Sequence, residues 1–128
     1  MKNILLIFLS AVAGILILPD YALGHHGLAE FDTTSNVTVK ATVSIFRFVN
    51  PHCIVEFEVK DDKGQIQNWQ GELTSPNRLA RVGWTRGSLK EGDEVTITGY
   101  RAKSGTNFMW ITKLQSSDGR EIKIVGEN

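Results

Sequence analysis

Between Val37 and Ile45 the chain alternates without a break: Val37, Val39, Ala41, Val43 and Ile45 are apolar, and Thr38, Lys40, Thr42 and Ser44 between them are polar. Successive side chains of a strand point to opposite faces, so a strict period of two dictates a strand with one buried face. It excludes an amphipathic helix, whose apolar residues recur every three or four positions. Phe46 and Phe48 then continue the apolar set on the other parity. Such a phase change predicts a β-bulge or strong bend near Ile45-Phe46, the device that lets one long strand curl around a small barrel.

The same period returns downstream. After Asn50-Pro51, the stretch from His52 to Lys60 places Cys53, Val55, Phe57 and Val59 on one face and His52, Ile54, Glu56 and Glu58 on the other. Cys53 is therefore expected to point inward and His52 outward. Asp61-Asp62-Lys63-Gly64 makes a hairpin turn into a strand from Gln65 to Leu73, on which Trp69 and Leu73 share a face. Ser75 can cap and Pro76 suits a first helical turn, so a short helix is expected from Arg78 to Val82, ended by Gly83. A turn at Glu91-Gly92-Asp93 leads to a strand with Val95, Ile97 and Gly99 on one side. Strands from Phe108 to Gln115 and from Glu121 to Val125, split by the Ser117-Asp118-Gly119 turn, complete the set. Three strands, a short helix and two or three more strands are the order of an OB-fold. The expected class is mainly β: a small five- to six-stranded OB-like barrel with one short helix between strands 3 and 4. Another small barrel or sandwich of similar strand count is the competing architecture. Gly99 and Gly105 suit a tightly coiled sheet.

Ahead of this region, Lys2 and the apolar run from Ile4 to Leu18 have the form of a secretory signal peptide, and Ala22-Leu23-Gly24 supplies small residues for cleavage. The run is shorter than the roughly 20 residues of a membrane-spanning helix. The expected organisation is a signal peptide over 1–24, an N-terminal arm over 25–36 and the barrel domain over 37–128. Leu28, Ala29 and Phe31 suit an arm that docks on the barrel. The compartment is then periplasmic or secreted in a bacterium, and no membrane partner is expected once the leader is removed.

Charge narrows the function classes. The chain balances 14 basic against 14 acidic residues, which argues against nucleic acid, whose binding depends on neutralising phosphates. Cys53 is the single cysteine, so no intrachain disulfide can form and cysteine-rich zinc or haem motifs are absent. There is no nucleophile elbow, no HExxH and no phosphate-cradling glycine loop, so no enzymatic activity is expected. His52 and Cys53 fall on opposite faces of one strand and do not make a nucleophile-base pair.

The three histidines fall in two places. Cleavage after Gly24 makes His25 the first residue, and its free α-amine and imidazole Nδ1 can then close one chelate ring around a metal. A third nitrogen completes a planar set of the kind Cu(II) prefers, often called a histidine brace. His52, fixed after Pro51, is the expected opposing ligand, and His26 is the further donor if Gly27 turns the arm. Met109 is a subordinate thioether candidate that equally suits a core position. Glu56, on the face of His52, is a subordinate candidate for orienting it through a hydrogen bond. The bland alternative is a frayed, solvated His25-His26 terminus and a His52 that merely hydrogen-bonds its loop.

The motifs taken together resemble a family of small exported bacterial proteins catalogued as a domain of unknown function. They are His25-His26 followed by Ala29, Phe31 and Asp32; Asn50-Pro51-His52; Ser75-Pro76-Asn77 with Leu79, Arg81, Gly83 and Trp84; and Gly92-Asp93 running on to Gly99-Tyr100-Arg101-Ala102-Lys103. The resemblance implies a periplasmic protein and carries over no activity. Gly27, Ile54 and Phe108-Met109-Trp110 depart from the family's usual residues, the last near the subordinate candidate Met109.

Two functions follow as expectations. One is a periplasmic OB-like protein that binds copper through His25, His52 and His26, for metal delivery to, or buffering for, an exported metalloenzyme or envelope protein. The other is a metal-free adaptor that binds a partner protein, peptide or glycan through a barrel face carrying Trp69, Trp84, Tyr100 and Trp110. An enzyme working through a copper-oxygen site is a third class, and it requires an open coordination position.

Overall fold

A single long strand organises the barrel. The computed structural model describes residues 27–125, so the expected signal peptide, His25 and His26 lie outside the described residues. Strand β1 (Val37–Arg47) serves two partners, β4 (Glu94–Arg101) along its first half and β2 (Ile54–Lys60) along its second. The change of partner occurs at Thr42, which lies opposite both Glu94 and Glu58. The register shift follows at once, between Val43 and Ile45, slightly earlier than the expected Ile45-Phe46. It turns Ile45 out to solvent and lets Phe46 and Phe48 pack against the core.

β2 continues through a hairpin into β3 (Ile66–Glu72), and β5 (Phe108–Ser116) lies antiparallel to β4. The strand order β3-β2-β1-β4-β5 closes on itself through a parallel β3–β5 pairing, Gln70 with Phe108, Gly71 with Met109 and Glu72 with Trp110. This is a closed five-stranded OB-like barrel. The two-residue β6 (Glu121–Ile122) adds to the β5 edge, shorter than the expected 121–125, although Ile124 beyond it is buried in the core.

The inward parity of the strands forms the core: Ala41 and Val43, Val55 and Phe57, Val95 and Ile97, Met109, Ile111 and Leu114, with Cys53 and Leu73 at one end. Burial of each large side chain contributes roughly 1.5–3 kcal/mol. Two glycines let the wall close. A Cβ at Gly99 would overlap the Trp110 carbonyl oxygen, and one at Gly71 would stand 2.5 Å from Ile111 Cδ1. A side chain at Gly99 would push the β5 backbone outward, and one at Gly71 would displace the Ile111 side chain in the core.

The single helix among the described residues, α1 (Pro76–Ala80), starts two residues before the expected Arg78, because Pro76 is itself the first helical residue; the helix ends at an Arg81 cap rather than at Val82. The Ser75 hydroxyl accepts from the Arg78 N–H at 3.4 Å, beside the Ser75 carbonyl at 3.1 Å, so both Ser75 oxygens cap the first turn. Leu79 and Trp84 anchor this segment in the core. The arm docks through Phe31 alone of its three expected contacts, Leu28 and Ala29 being exposed where a turn carries them away from the barrel. Phe31 is 2% exposed, bridges to Ala102, and is flanked by two backbone hydrogen bonds, Asp32 N–H to the Arg101 carbonyl at 2.9 Å and Lys103 N–H to the Glu30 carbonyl at 2.8 Å.

Candidate functional site

His52 sits in the β1–β2 loop, two residues ahead of β2 rather than on the strand, after a cis Asn50-Pro51 bond. The neighbouring Cys53 is tied to the end of β3 in both directions, its N–H donating to the Thr74 carbonyl at 3.1 Å and its carbonyl accepting from the Leu73 N–H at 2.8 Å. Those two bonds fix Cys53 inward, at 0% exposed. Burial pushes the Cys53 thiol above its ordinary value, against a smaller opposing effect of the Val49 backbone. The thiol is thereby kept neutral and unreactive.

His52 is only partly buried, its side chain 31% exposed. Its Nδ1 is paired with a Glu72 carboxylate oxygen, and its ring meets Trp110 edge-on, with centroids 5.3 Å apart at 83°. Glu72 and Trp110 are opposite each other in the parallel β3–β5 seam, so the seam that closes the barrel also builds the ring's two contacts. A carboxylate at Nδ1 holds a proton there and leaves Nε2 with its lone pair. Sequence parity pointed to Glu56 for this role. Glu56 instead forms an ion pair with Arg47, because it stands opposite Ile45 and one alternate position away from Arg47 across the β1–β2 pairing. Glu72 was missed because it lies 20 residues further on, and its only signal in the sequence was its place in the next strand.

The other candidates are distributed as follows. Met109 is 0% exposed, inside the barrel, and its neighbours Phe108 and Trp110 take the outer face. His25 and His26 lie beyond the described residues. Of the described part of the arm, Phe31 packs on Trp110 at 6.2 Å and on Phe108 at 5.1 Å. Among the described residues, no group of three histidine, cysteine, aspartate or glutamate side chains is arranged to hold a metal.

Of the four aromatic residues of the adaptor expectation, half-buried Tyr100 stands opposite Trp110 across the β4–β5 pairing, and the other three are engaged by neighbours. Trp84 is buried and donates its indole N–H to the Lys123 carbonyl at 2.7 Å. Trp69 stacks on Phe57 at 6.2 Å, and the Arg101 guanidinium lies over its ring at 4.9 Å. That guanidinium also donates to the Gly105 and Thr106 carbonyls and to Asn107 Oδ1, pinning the β4–β5 loop against β3. Trp110 is taken up by Phe31 and His52.

With this geometry in place, comparison with known proteins is informative at the level of family. Residues 14–109 match the family of unknown function DUF6152. The chain belongs to that family. No curated protein matches this DUF6152 chain. Among solved structures it is similar to the ZRD-deleted mutant of TiaS in complex with agmatine, at 15% identity and a TM-score of 0.44 over 73% of this chain and 24% of that one. It is also similar to a tRNA fluorescent labeling enzyme, at 17% identity and a TM-score of 0.42 over 72% of this chain and 24% of that one. The DUF6152 chain spans about a quarter of the solved chains it matches, and likenesses of this size carry no functional argument.

Proposed function

We propose that this protein is an exported OB-like module that binds copper at the outer corner of the β3–β5 seam. His52 Nε2 is one ligand. The amine and ring of a mature N-terminal His25 supply two more, with His26 as a further donor. The role is delivery or buffering of the metal for an exported metalloenzyme or envelope protein.

The observation that carries the reading is the His52–Glu72 pair. Metal-bound histidines characteristically donate their second ring N–H to a carboxylate or carbonyl, which fixes the tautomer and the ring's direction. His52 has that partner, and Trp110 limits its rotation from the side. The docked arm supports the same reading: Phe31 packs on Trp110 and its N–H closes a turn on the Leu28 carbonyl at 3.0 Å, and at ~3.3–3.6 Å per extended residue the three steps from Leu28 to His25 allow a reach of about 10 Å from that turn. Deprotonated imidazole and amine nitrogens suit Cu(II) better than harder cations.

The test is a Cu(II) titration of the protein recovered after export, with its intact mass defining the terminus. Wild type, His25→Ala and His52→Ala are followed by calorimetry and electron paramagnetic resonance. A nitrogen-rich Cu(II) signal that each substitution weakens supports the site. A mature terminus other than His25, or equal affinity in all three proteins, sinks it.

A further inference from the structure

The segment joining β3 to β4 has a charge imbalance that the whole chain lacks. Between Ser75 and Lys90 stand Arg78, Arg81, Arg86 and Lys90 and not one carboxylate. All four side chains belong to exposed residues, and none of them is in an ion pair among the described residues. The acidic residues that flank the segment are Glu72 before it, paired with His52, and Glu91, Asp93 and Glu94 after it, and the Asp93 carboxylate is engaged by the Lys90 backbone N–H at 2.9 Å.

The cations stand on an anchored surface. Leu79, Trp84 and Leu89 are buried beneath the segment. The Trp84 indole is held by the Lys123 carbonyl and meets Phe46 edge-on at 5.5 Å. Ser88 Oγ accepts from the Thr85 N–H at 2.8 Å, closing the turn that displays Arg86. Arg78 and Arg81, three residues apart across the α1 turn, are neighbours on one side of it.

We propose that this basic cap is a peripheral docking surface for a membrane bearing anionic phospholipid headgroups. Guanidinium groups match phosphate oxygens in planar, paired hydrogen bonds, and a lipid surface offers a dense plane of such phosphates. The composition of the patch favours this occupant over an acidic protein. A stable protein interface is centred on aromatic or large apolar anchors, and the exposed large hydrophobics, Leu28, Ile45, Val49, Ile66 and Val125, all lie off this segment. What the segment exposes besides its cations is small: Asn77, Ala80, Thr85, Gly87 and Ser88. The contact is therefore electrostatic and confined to the headgroup plane. It requires no spanning element, and no helix among the described residues is long and apolar enough to cross a membrane. It also stands apart from the copper reading, and it departs from the expectation of no membrane partner once the leader is removed.

The test is co-sedimentation of the exported protein with vesicles of equimolar phosphatidylglycerol and phosphatidylcholine, and with phosphatidylcholine alone. Binding to the mixed vesicles only, abolished by high salt, is expected. A surface cation contributes about fivefold in partition, so Arg78→Gln/Arg81→Gln/Arg86→Gln lowers it by about a hundredfold. Lys40→Gln/Lys60→Gln/Lys63→Gln removes the same charge elsewhere and leaves partition within about twofold on the same reasoning. Arg78→Lys/Arg81→Lys/Arg86→Lys, which keeps the charge, retains most of the binding and guards against a folding defect in the Gln variant. Equal binding to phosphatidylcholine alone, equal loss in the two Gln variants, or capture by an acidic protein without capture by vesicles overturns the proposal.

Discussion

The β3–β5 seam presents two neighbouring pairs with opposite duties. Gly71 and Met109 face inward, where a missing Cβ and a fully buried thioether let the wall close. One step on, Glu72 and Trp110 face outward and hold the ring of His52. The loop repeats the division in a single step of chain, with His52 outside and Cys53 inside. The same backbone pairing thus fixes both a packing problem and a chemical one. The two should separate cleanly under mutation, since inner changes act through cavity and clash whereas outer ones act through orientation and charge.

The largest effect is expected inside. Met109→Ala leaves a cavity at a fully buried position and should cost about 2–5 kcal/mol of stability, measured by urea unfolding, with copper affinity of the still-folded fraction unchanged. An affinity loss in that fraction would show that the two faces are coupled after all.

Phe31→Ala comes next. It removes the one buried anchor among the arm's described residues, and a cost of roughly 2–3 kcal/mol is expected, at or below the lower end for phenylalanine because the arm packs from outside the barrel. Hydrogen exchange should accelerate at the Asp32 and Lys103 amides, which the docked arm ties down, and stay slow at the β1–β4 amides. Uniform acceleration would make the arm part of the cooperative core.

Glu72→Gln sharpens the comparison from the outer side. Loss of the carboxylate at Nδ1 should lower Cu(II) affinity about 10- to 100-fold, while the thermal midpoint moves little, since the pair is partly exposed. Glu56→Gln, at the residue paired with Arg47, should leave the affinity unchanged. Equal effects of the two would reduce Glu72 to a contributor of general negative charge.

The smallest effect concerns pH. The Cys53 thiol is raised in the folded state by burial, so its contribution to stability is fully present below the ordinary thiol range and is lost as pH rises through the folded value. Unfolding midpoints of wild type and Cys53→Ala should therefore converge above the ordinary thiol range of roughly 8.5–9. In the acid limb, the Asp61 carboxylate is held below its usual range by hydrogen bonds from the Gln65 backbone, the Gln67 side chain and the Lys63 backbone. Its support for the β2–β3 turn is present above the ordinary carboxylate value and fades as pH falls through the lowered one. Amide protection at Lys63 and Gln65 should fade with it.

Much of the molecule was legible because alternation is local. Val37 to Val43 and Val55 to Val59 have their faces decided by the backbone alone, so the strands, the inward Cys53 and the OB-like order followed from residues taken a few at a time. The bulge was visible as a phase change and misplaced only slightly, since a phase shift marks an interval rather than a residue. The helix boundary moved because Pro76 both begins the helix and precedes the periodic residues by which it was recognised.

The site was legible only in part. That His52 points away from the core was in the pattern, and its partner was not. Glu56 and Glu72 are both glutamates on outward positions of adjacent strands, and nothing local distinguishes them. The choice is made by the β2–β3 register and by the parallel closure of β3 on β5, which brings Glu72 and Trp110 to one corner from positions 20 and 58 residues beyond His52. The sequence by itself determined which side of each strand meets water. Only the tertiary structure decided which outward residues meet one another, because cross-strand neighbours are set by register and barrel closure, and both depend on contacts far apart in the chain.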